Sequence, residues 1–361
     1  MGVHMLRGRE GWRMSGTSWI KNIGKRMSRT ICAAAQGLRV RVFPDWQRKL
    51  DEALESLPEK ELLPHELFRS LMKMANPKGR QIRLVTEYGV PVALAGLVNR
   101  WGCWEPVTQW IVPGVLFPVK EGYLSKVLAA LGLEIKVGWW RWNEPPPKMG
   151  CLRRIVMTPT RRMSCSEDFE QYWRRSSLIR NIRTARKRCK GFDLRIDAPG
   201  AAEWTIRNWA AKWRPAGMSE MPGLEERLTV ALYLEERGMH HTLLLCDKDE
   251  PVAGVTLIVD RNDVVAHCTY RNPNYDWHGA MNRNFESMFY WAKERGFTKI
   301  DIGGSFDYKA RWAPEDGEKF EFVVCPEYVL YGRGISAFAE KVENRLKCRF
   351  GKSISLNPSS T

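Results

Sequence analysis

The sequence predicts an α+β fold made of two tandem copies of one unit, each a mixed, twisted sheet flanked by helices. The first observation is an internal repeat, in which a strand and a tight turn lead into Pro91-Val92-Ala93 in one copy and Pro251-Val252-Ala253 in the other. A helical pattern of similar character precedes both segments. The second observation is length, because 361 residues are enough for two domains of ordinary size.

Composition excludes a disordered chain and indicates an anionic partner. Hydrophobic residues make up 44% of the chain and aromatic residues 11%, enough to build ordinary cores. The net charge of +16 favours a polyanion such as nucleic acid or anionic glycan, or a phosphorylated cofactor. A basic protein without such a partner remains the alternative.

The cysteines indicate the cellular compartment, and the hydropathy pattern indicates whether the chain spans a membrane. Nine cysteines are scattered along the chain without a CxxC pair, which predicts reduced thiols, no metal site and a cytoplasmic location. No apolar run approaches the ~18–20 residues that a membrane helix needs, so we expect no membrane span.

The domain boundaries follow from composition and proline. Residues 1–36 form a basic leader that we expect to be disordered, and residues 357–361 a disordered tail. The first unit is predicted over 37–157 and the second over 158–356. Between them, Pro145-Pro146-Pro147 predicts a stiff, extended crossover.

The elements of the first unit are read from periodicity and from glycine or proline stops. Alternating residues predict strands over 37–43, 81–86, 91–98 and 104–112. Helical spacing predicts helices over 45–57, 66–75 and 124–131, the last ended by Gly132.

The second unit begins with a long, basic helix. Residues 167–188 are predicted as one helix with Ser166 as N-cap, because acids stand in its first turn. Further helices are predicted over 203–212, 224–237, 281–295 and 334–347. Strands are predicted over 242–247, 251–260, 263–270, 299–302 and 320–325.

One stretch of the second unit combines features of a functional site. A short buried strand ends in Asp301-Ile302-Gly303-Gly304, and the two glycines allow the backbone to pass close to a ligand. Tyr308-Lys309 follow. The helix 281–295 that precedes this strand starts after Gly279-Ala280, and a helix N-terminus favours phosphate.

These motifs, in this order, resemble the GNAT-fold acyltransferases of the FemAB/BioF2-like branch. The resemblance covers about 161–326 and rests on Pro251-Val252-Ala253, the helix 281–296, Asp301-Ile302-Gly303 and Tyr308-Lys309. It implies transfer of an acyl or aminoacyl group to an amine, with acyl-CoA or aminoacyl-tRNA as donor and no metal. It also implies that a pyrophosphate lies at the start of the helix 281–295. There the usual pattern rich in glutamine and glycine is absent, and only Gly279 and Ala280 match.

The residues of this stretch suggest roles in catalysis, and the resemblance implies the role of Lys309. Lys309 would stabilise the negative charge that develops on the carbonyl oxygen. Asp301 would orient the attacking amine or accept its proton, and Tyr308 would wall the site and reach the leaving group. Asp301 as a cap of the Gly303-Gly304 turn is the alternative. We expect the donor to contact the backbone at Gly279, Ala280, Asn282, Gly303, Gly304 and Ser305.

The basic stretch 174–190 is the clearest electrostatic feature. Arg180, Arg183 and Lys187 share one helix face, and no acid occurs between 171 and 192. A tRNA acceptor stem, a nucleotide-sugar and an anionic glycan all fit this face, and a solvated face without a partner is the alternative.

The sequence therefore predicts an N-acyltransferase. An amino sugar, glycan or peptide would supply the amine, which attacks the donor directly in a ternary complex. The alternative is a non-catalytic, degenerate GNAT module that binds nucleic acid or anionic glycan through the helix 174–190. The first copy lacks a counterpart of Asp301-Ile302-Gly303 and of Tyr308-Lys309, so we expect it to have lost donor binding.

Overall fold

A computed structural model describes residues 37–75, 79–100, 103–109, 111–112, 114–138, 152–214, 216–304 and 306–325. The predicted leader, the helix 334–347, the tail and Ser305 lie outside these ranges. In the described part, the sheet strands are β1 (Leu38–Phe43), β2 (Arg80–Glu87), β3 (Val90–Arg100), β4 (Cys103–Pro106), β5 (Ile135–Val137), β6 (Leu152–Ser164), β7 (Phe192–Ile196), β8 (His240–Asp247), β9 (Glu250–Asp260), β10 (Asp263–Arg271), β11 (Lys299–Gly304) and β12 (Glu315–Val324).

Eight α-helices flank these strands in the described part. They are α1 (Arg48–Glu55), α2 (His65–Met74), α3 (Leu124–Ala130), α4 (Phe169–Arg175), α5 (Ile179–Arg188), α6 (Ala201–Trp213), α7 (Leu224–Glu235) and α8 (Ala280–Glu294). Two 3₁₀ turns, Pro273–His278 and Asp307–Arg311, follow β10 and β11.

Helix α8 shows how the sequence determines an element. Phe285, Met288, Phe289 and Ala292 recur at helical spacing, and all four are buried against the sheet. The helix stops at Gly296, which adopts a left-handed φ of 78°. The Phe297 N–H then bonds the Ala292 carbonyl at 3.1 Å and closes the C-terminus. This helix and its glycine stop confirm the prediction.

All twelve strands form one sheet in the order β1-β2-β3-β4-β5-β12-β6-β11-β10-β9-β8-β7. The two predicted sheets of like topology are therefore joined edge to edge. One core lies under the first half and extends to Val230, Leu234, Ile258 and Val265 of the second half. A second core lies between α8, α4 and the strands β9 to β11.

The internal repeat is confirmed in its detail. The elements β1-α1-α2-β2-β3-β4-α3-β5-β6 recur in the same order as β7-α6-α7-β8-β9-β10-α8-β11-β12. Glu87 pairs with Val90 and Thr86 with Pro91, while Asp247 pairs with Glu250 and Cys246 with Pro251. Each hairpin shifts register immediately after the proline pair, so the two copies share even their β-bulge.

The last strand of each copy lies in the sheet of the other copy. β6 follows β5 in the chain but pairs with β11, and β12 follows β11 but pairs with β5. β6 and β12 then pair with each other, antiparallel, from Leu152 to Arg161. The boundary that we placed between 157 and 158 falls inside β6, which pairs on both sides.

An apolar excursion distinguishes the first copy. In the first copy Pro106 pairs with Leu97, and after the excursion Val119 forms a bridge with Ala93. In the second copy the positions equivalent to Pro106 and Val119 are Ala266 and Arg271. Residues 107–118 lie between the first pair of positions and only 267–270 between the second. Val107, Val112, Leu116 and Phe117 of the excursion are buried in the core. The predicted strand over 104–112 is therefore wrong beyond Pro106, because these side chains leave the sheet to fill the interior.

The long helix predicted over 167–188 is also wrong. Ser177 adopts a left-handed φ of 62° and separates α4 from α5. The N-cap is Asp168 and not Ser166, because the Asp168 carboxylate accepts the Gln171 N–H at 3.1 Å. The break lets Trp173 of α4 and Ile182 of α5 both pack into the core.

Candidate functional site

The candidate site lies where two parallel strands separate. β10 and β11 pair only over Asp263–Lys299, Val264–Ile300 and Val265–Asp301 in the described chain. β10 then shifts register against β9, and β11 shifts against β6 directly after Asp301. Pairing between β10 and β11 therefore ends at Asp301, and we call the place where their carboxyl ends part the notch, with Asp301 at its base.

Asp301 is buried in this notch, with 1% of its surface exposed. Its Oδ1 accepts the Gly303 N–H at 2.6 Å, so it does cap the glycine turn. Its Oδ2 lies 3.6 Å from Arg162 Nε and accepts no hydrogen bond among the described residues. Burial raises the pKa of Asp301 to about 6, although the Gly303 N–H and Arg162 oppose the shift.

Lys309 approaches the same turn from the other side. Its ammonium donates to the Ile302 carbonyl, and a Cβ at Gly303 would lie 3.4 Å from Nζ. Gly303 adopts a left-handed φ of 78°, which is the reason that glycine is favoured here. Burial lowers the pKa of Lys309 to about 8, while the Asp301 carboxylate opposes that change.

The predicted Asp301 and Lys309 are thus brought together around one glycine. Between about pH 6 and about pH 8 the pair holds a carboxylate that can accept a proton beside an ammonium that can stabilise negative charge. Opposite pKa shifts at a buried carboxyl and a half-buried ammonium beside it are typical of functional sites.

Tyr308 lies at the mouth of the notch. Its side chain is 53% exposed, and its ring stacks on Phe306 with centroids 6.1 Å apart. Lys309 Nζ lies 5.4 Å from the Phe306 ring centroid. The two aromatic rings therefore form an open wall beside the ammonium.

The start of α8 carries the other predicted contacts. Gly279 is left-handed, with a φ of 70°, Ala280 is buried and Asn282 is half-buried. A Cβ at Gly279 would lie 3.1 Å from the Ala185 Cβ, so α5 packs directly on this turn. Arg188 of α5 also stacks over the Trp277 ring, with its guanidinium carbon 3.5 Å from the centroid.

Helix α5 presents the predicted cations to solvent. Arg180, Arg183 and Lys187 are exposed, and none of them forms an ion pair within the part of the chain that the structure describes. Arg186, on the adjacent flank of α5, contacts Glu286 of α8 with Nε 2.6 Å from Oε1 and Glu170 of α4 at 2.9 Å. This network holds α5 on the start of α8 with its cationic face outward.

The sequence analysis missed two positioning residues. Arg162 connects Asp301 to Asp263, to which it bonds at 2.5 Å, and Arg186 connects α5 to the buried Glu286. Both partners are more than 90 residues distant in sequence, so no local pattern indicates them. The arginine content of β6 and α5 was visible, but their partners depend on the tertiary fold.

Comparison with protein-family models gives a match in the second half of the chain. Residues 174–310 match the sequence model of an acetyltransferase (GNAT) domain. This match supports a GNAT fold for that part of the chain. The matched residues run from α4 through the notch to Ala310 and include Asp301 and Lys309. They cover the basic helix, the start of α8 and the strand that ends in the glycine turn, and the mixed sheet flanked by helices agrees with the GNAT fold.

Several solved structures are similar to 78–81% of this chain. The C-terminal domain of a putative lysylphosphatidylglycerol synthetase from Agrobacterium fabrum is 12% identical, with a TM-score of 0.45 over 78% of this chain and 94% of that one. L-PGS from Bacillus licheniformis is 14% identical, with a TM-score of 0.44 over 78% and 92%. FemX is 13% identical, with a TM-score of 0.42 over 81% and 99%. Because each TM-score is below 0.5, we base no argument on these likenesses.

A search of curated protein sequences found no match. Among the described residues, no group of three His, Cys, Asp or Glu side chains could hold a metal ion. None of the described helices is long and apolar enough to cross a membrane.

Proposed function

We propose that the chain is a GNAT-type N-acyltransferase of the FemAB/BioF2-like branch that works at the notch between β10 and β11. The observation that carries the proposal is the juxtaposition of Asp301 and Lys309 around Gly303, with the pKa of the carboxyl raised to about 6 and that of the ammonium lowered to about 8. A buried carboxyl and a half-buried ammonium shifted in this way are ready for proton transfer and charge stabilisation near neutral pH.

Each step uses a group of this site. The acceptor amine loses a proton to Oδ2 of Asp301, directly or through water, and attacks the donor carbonyl. The Lys309 ammonium stabilises the oxyanion of the tetrahedral intermediate. Collapse of that intermediate expels the thiol or hydroxyl of the donor, and Tyr308 at the mouth of the notch would reach this leaving group. Because the amine attacks directly, no covalent enzyme intermediate is needed.

No cysteine among the described residues near the notch suits an alternative mechanism with a covalent intermediate. Cys268 is buried in β10, and burial raises its pKa to about 11, so little thiolate forms at neutral pH. This supports a ternary complex, in which an amino sugar, glycan or peptide provides the amine.

The donor is proposed to be a phosphate-bearing acyl carrier, either acyl-CoA or aminoacyl-tRNA. The exposed Arg180, Arg183 and Lys187 lie on the helix that packs against Gly279, so they offer cations beside the start of α8. A donor bound there would have its phosphates at α5 and its carbonyl in the notch, with Gly303 and Gly304 beside its acyl arm.

The test is the pH profile of acyl transfer, measured with acyl-CoA and with aminoacyl-tRNA donors and a primary-amine acceptor. The rate should fall below about pH 6, where Asp301 becomes protonated, and above about pH 8, where Lys309 loses its proton. Lys309→Met should lower kcat by ~10²–10³ and remove the alkaline limb. Asp301→Asn should lower kcat and remove the acid limb.

Arg311→Met is the matched control, because it removes an exposed cation two residues away. Its rate should equal that of the parent. If Lys309→Met keeps the parent melting temperature and the parent rate with a competent donor, the assignment of Lys309 is wrong.

The exposed Arg180, Arg183 and Lys187 favour a second candidate, a non-catalytic module that binds polyanions through α5. This candidate would hold if no donor supports transfer while RNA binding depends on Arg180, Arg183 and Lys187.

A further inference from the structure

A groove on the first copy lies far from the notch and takes no part in the proposed acyl transfer. It has a volume of about 380 Å³ and opens between β1, the turn that joins β2 to β3, and α1. Ala53, Leu84 and Pro91 give it apolar walls, and Ser56 and Thr86 add hydroxyl groups. Its volume is in the range of small-molecule sites.

Three cations converge on this groove. Arg39 and Arg41 alternate along β1 and so point to one face of the sheet, and Lys49 faces them from α1. Within the described chain none of the three forms an ion pair, whereas Arg69 on α2 bonds both Asp51 and Glu55. Among the described residues that line the groove, Glu52 is the one acid.

The second copy provides an internal control. In the first copy Arg39 pairs with Thr86 and Arg41 with Leu84. At the equivalent positions of the second copy, Asp193 pairs with Cys246 and Arg195 with Leu244. One arginine is thus an aspartate there, and Arg195 is neutralised by Asp249 at 2.9 Å.

The equivalent space is also filled in the second copy. Leu244 and Cys246 are buried with Ala201, and Trp204 packs against them. Across the residues that the structure describes, the open groove with unpaired cations therefore belongs to the first copy. A shared fold does not require these cations, because the other copy folds without them.

We propose that this groove binds a small phosphomonoester. A phosphomonoester is close to a dianion at pH 7 and offers three acceptor oxygens. Three cations against one carboxylate leave a net charge of two, which matches that dianion. Two guanidinium groups on one strand can bond phosphate oxygens in pairs, and the apolar walls would contact the organic part. β1 lies seven strand positions from β11, or roughly 34 Å at ~4.8 Å per strand, so the groove and the notch are separate sites.

The test is calorimetric titration of the full chain with phenyl phosphate at pH 7.5. We expect saturable binding, and Arg39→Gln or Arg41→Gln should each weaken it by about tenfold, as expected when one charge-assisted hydrogen bond is removed. Glu52→Gln should tighten binding, because it removes the one described acid from the groove. Arg48→Gln is the matched control, since Arg48 is an exposed neighbour on α1 that does not line the groove.

Three results would overturn the proposal. The first is a titration in which phenyl phosphate shows no saturable binding. The second is an equal weakening by Arg48→Gln and Arg41→Gln, which would indicate only a general positive field. The third is binding to vesicles containing phosphatidic acid but not to phenyl phosphate, which would assign the groove to a lipid surface and not to a free ligand. None of these results depends on acyl transfer, so the groove can fail while the proposed enzyme activity holds.

Discussion

The burial of His240 predicts that the protein loses stability as the pH falls. The side chain is 1% exposed at the start of β8, and neither ring nitrogen has a hydrogen-bond partner among the described residues. Burial lowers the pKa of His240 to about 3, and the nearby His241 lowers it further while Asp197 opposes the change. In the unfolded chain the pKa returns to about 6.5.

The direction in which stability changes with pH follows from the folded and unfolded pKa values of His240. The folded state holds His240 neutral, so its contribution to stability is fully present above about pH 6.5 and is lost as the pH falls toward about 3. In that range the unfolded chain binds one proton more than the folded chain, which lowers the free energy of unfolding by up to ~1.4 kcal/mol per pH unit. Between pH 7 and pH 5 the free energy of unfolding should fall by about 2 kcal/mol on account of this residue alone.

The assay compares urea unfolding of the parent and of His240→Leu at pH 7, 6 and 5. The leucine variant keeps the Asp197–His241 pair, which bonds at 2.8 Å, and the half-buried Glu235, so the other titrations largely cancel in the difference. The variant should be at least as stable as the parent at pH 7. Between pH 7 and pH 5 the difference in free energy of unfolding should shift by about 2 kcal/mol in favour of the variant. If the two stabilities fall in parallel between pH 7 and pH 5, His240 does not carry a depressed pKa and the reasoning is wrong.

Two further predictions concern the basic helix and the packing of one glycine. Replacing Arg180, Arg183 and Lys187 with Ala should weaken tRNA binding and reduce the slope of log K against log salt by ~0.7–0.9 for each phosphate that the variant no longer neutralises, as measured by salt titration; an unchanged slope would show a merely solvated face. Gly254→Ala should cost ~1–3 kcal/mol of unfolding free energy in urea titration, because its Cβ would lie 2.1 Å from the Thr205 hydroxyl. Gly191→Ala, with no atom within 4 Å of its Cβ, should unfold close to the parent midpoint.

The sequence predicted the fold because each copy carries strong local signals. The Pro-Val-Ala hairpins, the spacing of apolar residues in α8 and the stop at Gly296 are local, and the structure contains all of them. The break at Ser177 and the excursion after Pro106 were missed, because their causes are the burial of Trp173 and Phe117 in cores assembled from distant segments.

The site was predictable in part for the same reason. Asp301 and Lys309 stand eight residues apart around two glycines, so a local pattern was enough to suggest that they meet. The contacts of Arg162 with Asp301 and of Ala185 with Gly279 join segments that are far apart in sequence, and these contacts determine how open the site is.

The pairing of β12 with β5 has a consequence for synthesis of the chain. After β5 leaves the ribosome, roughly 180 residues must follow before β12 is available to pair with it. At ~5–20 residues per second this takes roughly ten to forty seconds. Until then the edge of β5 lacks its native partner, and an open strand edge invites pairing with other chains. The nascent first copy is therefore the form of this protein most exposed to aggregation, and slower translation should lower the yield of folded chain.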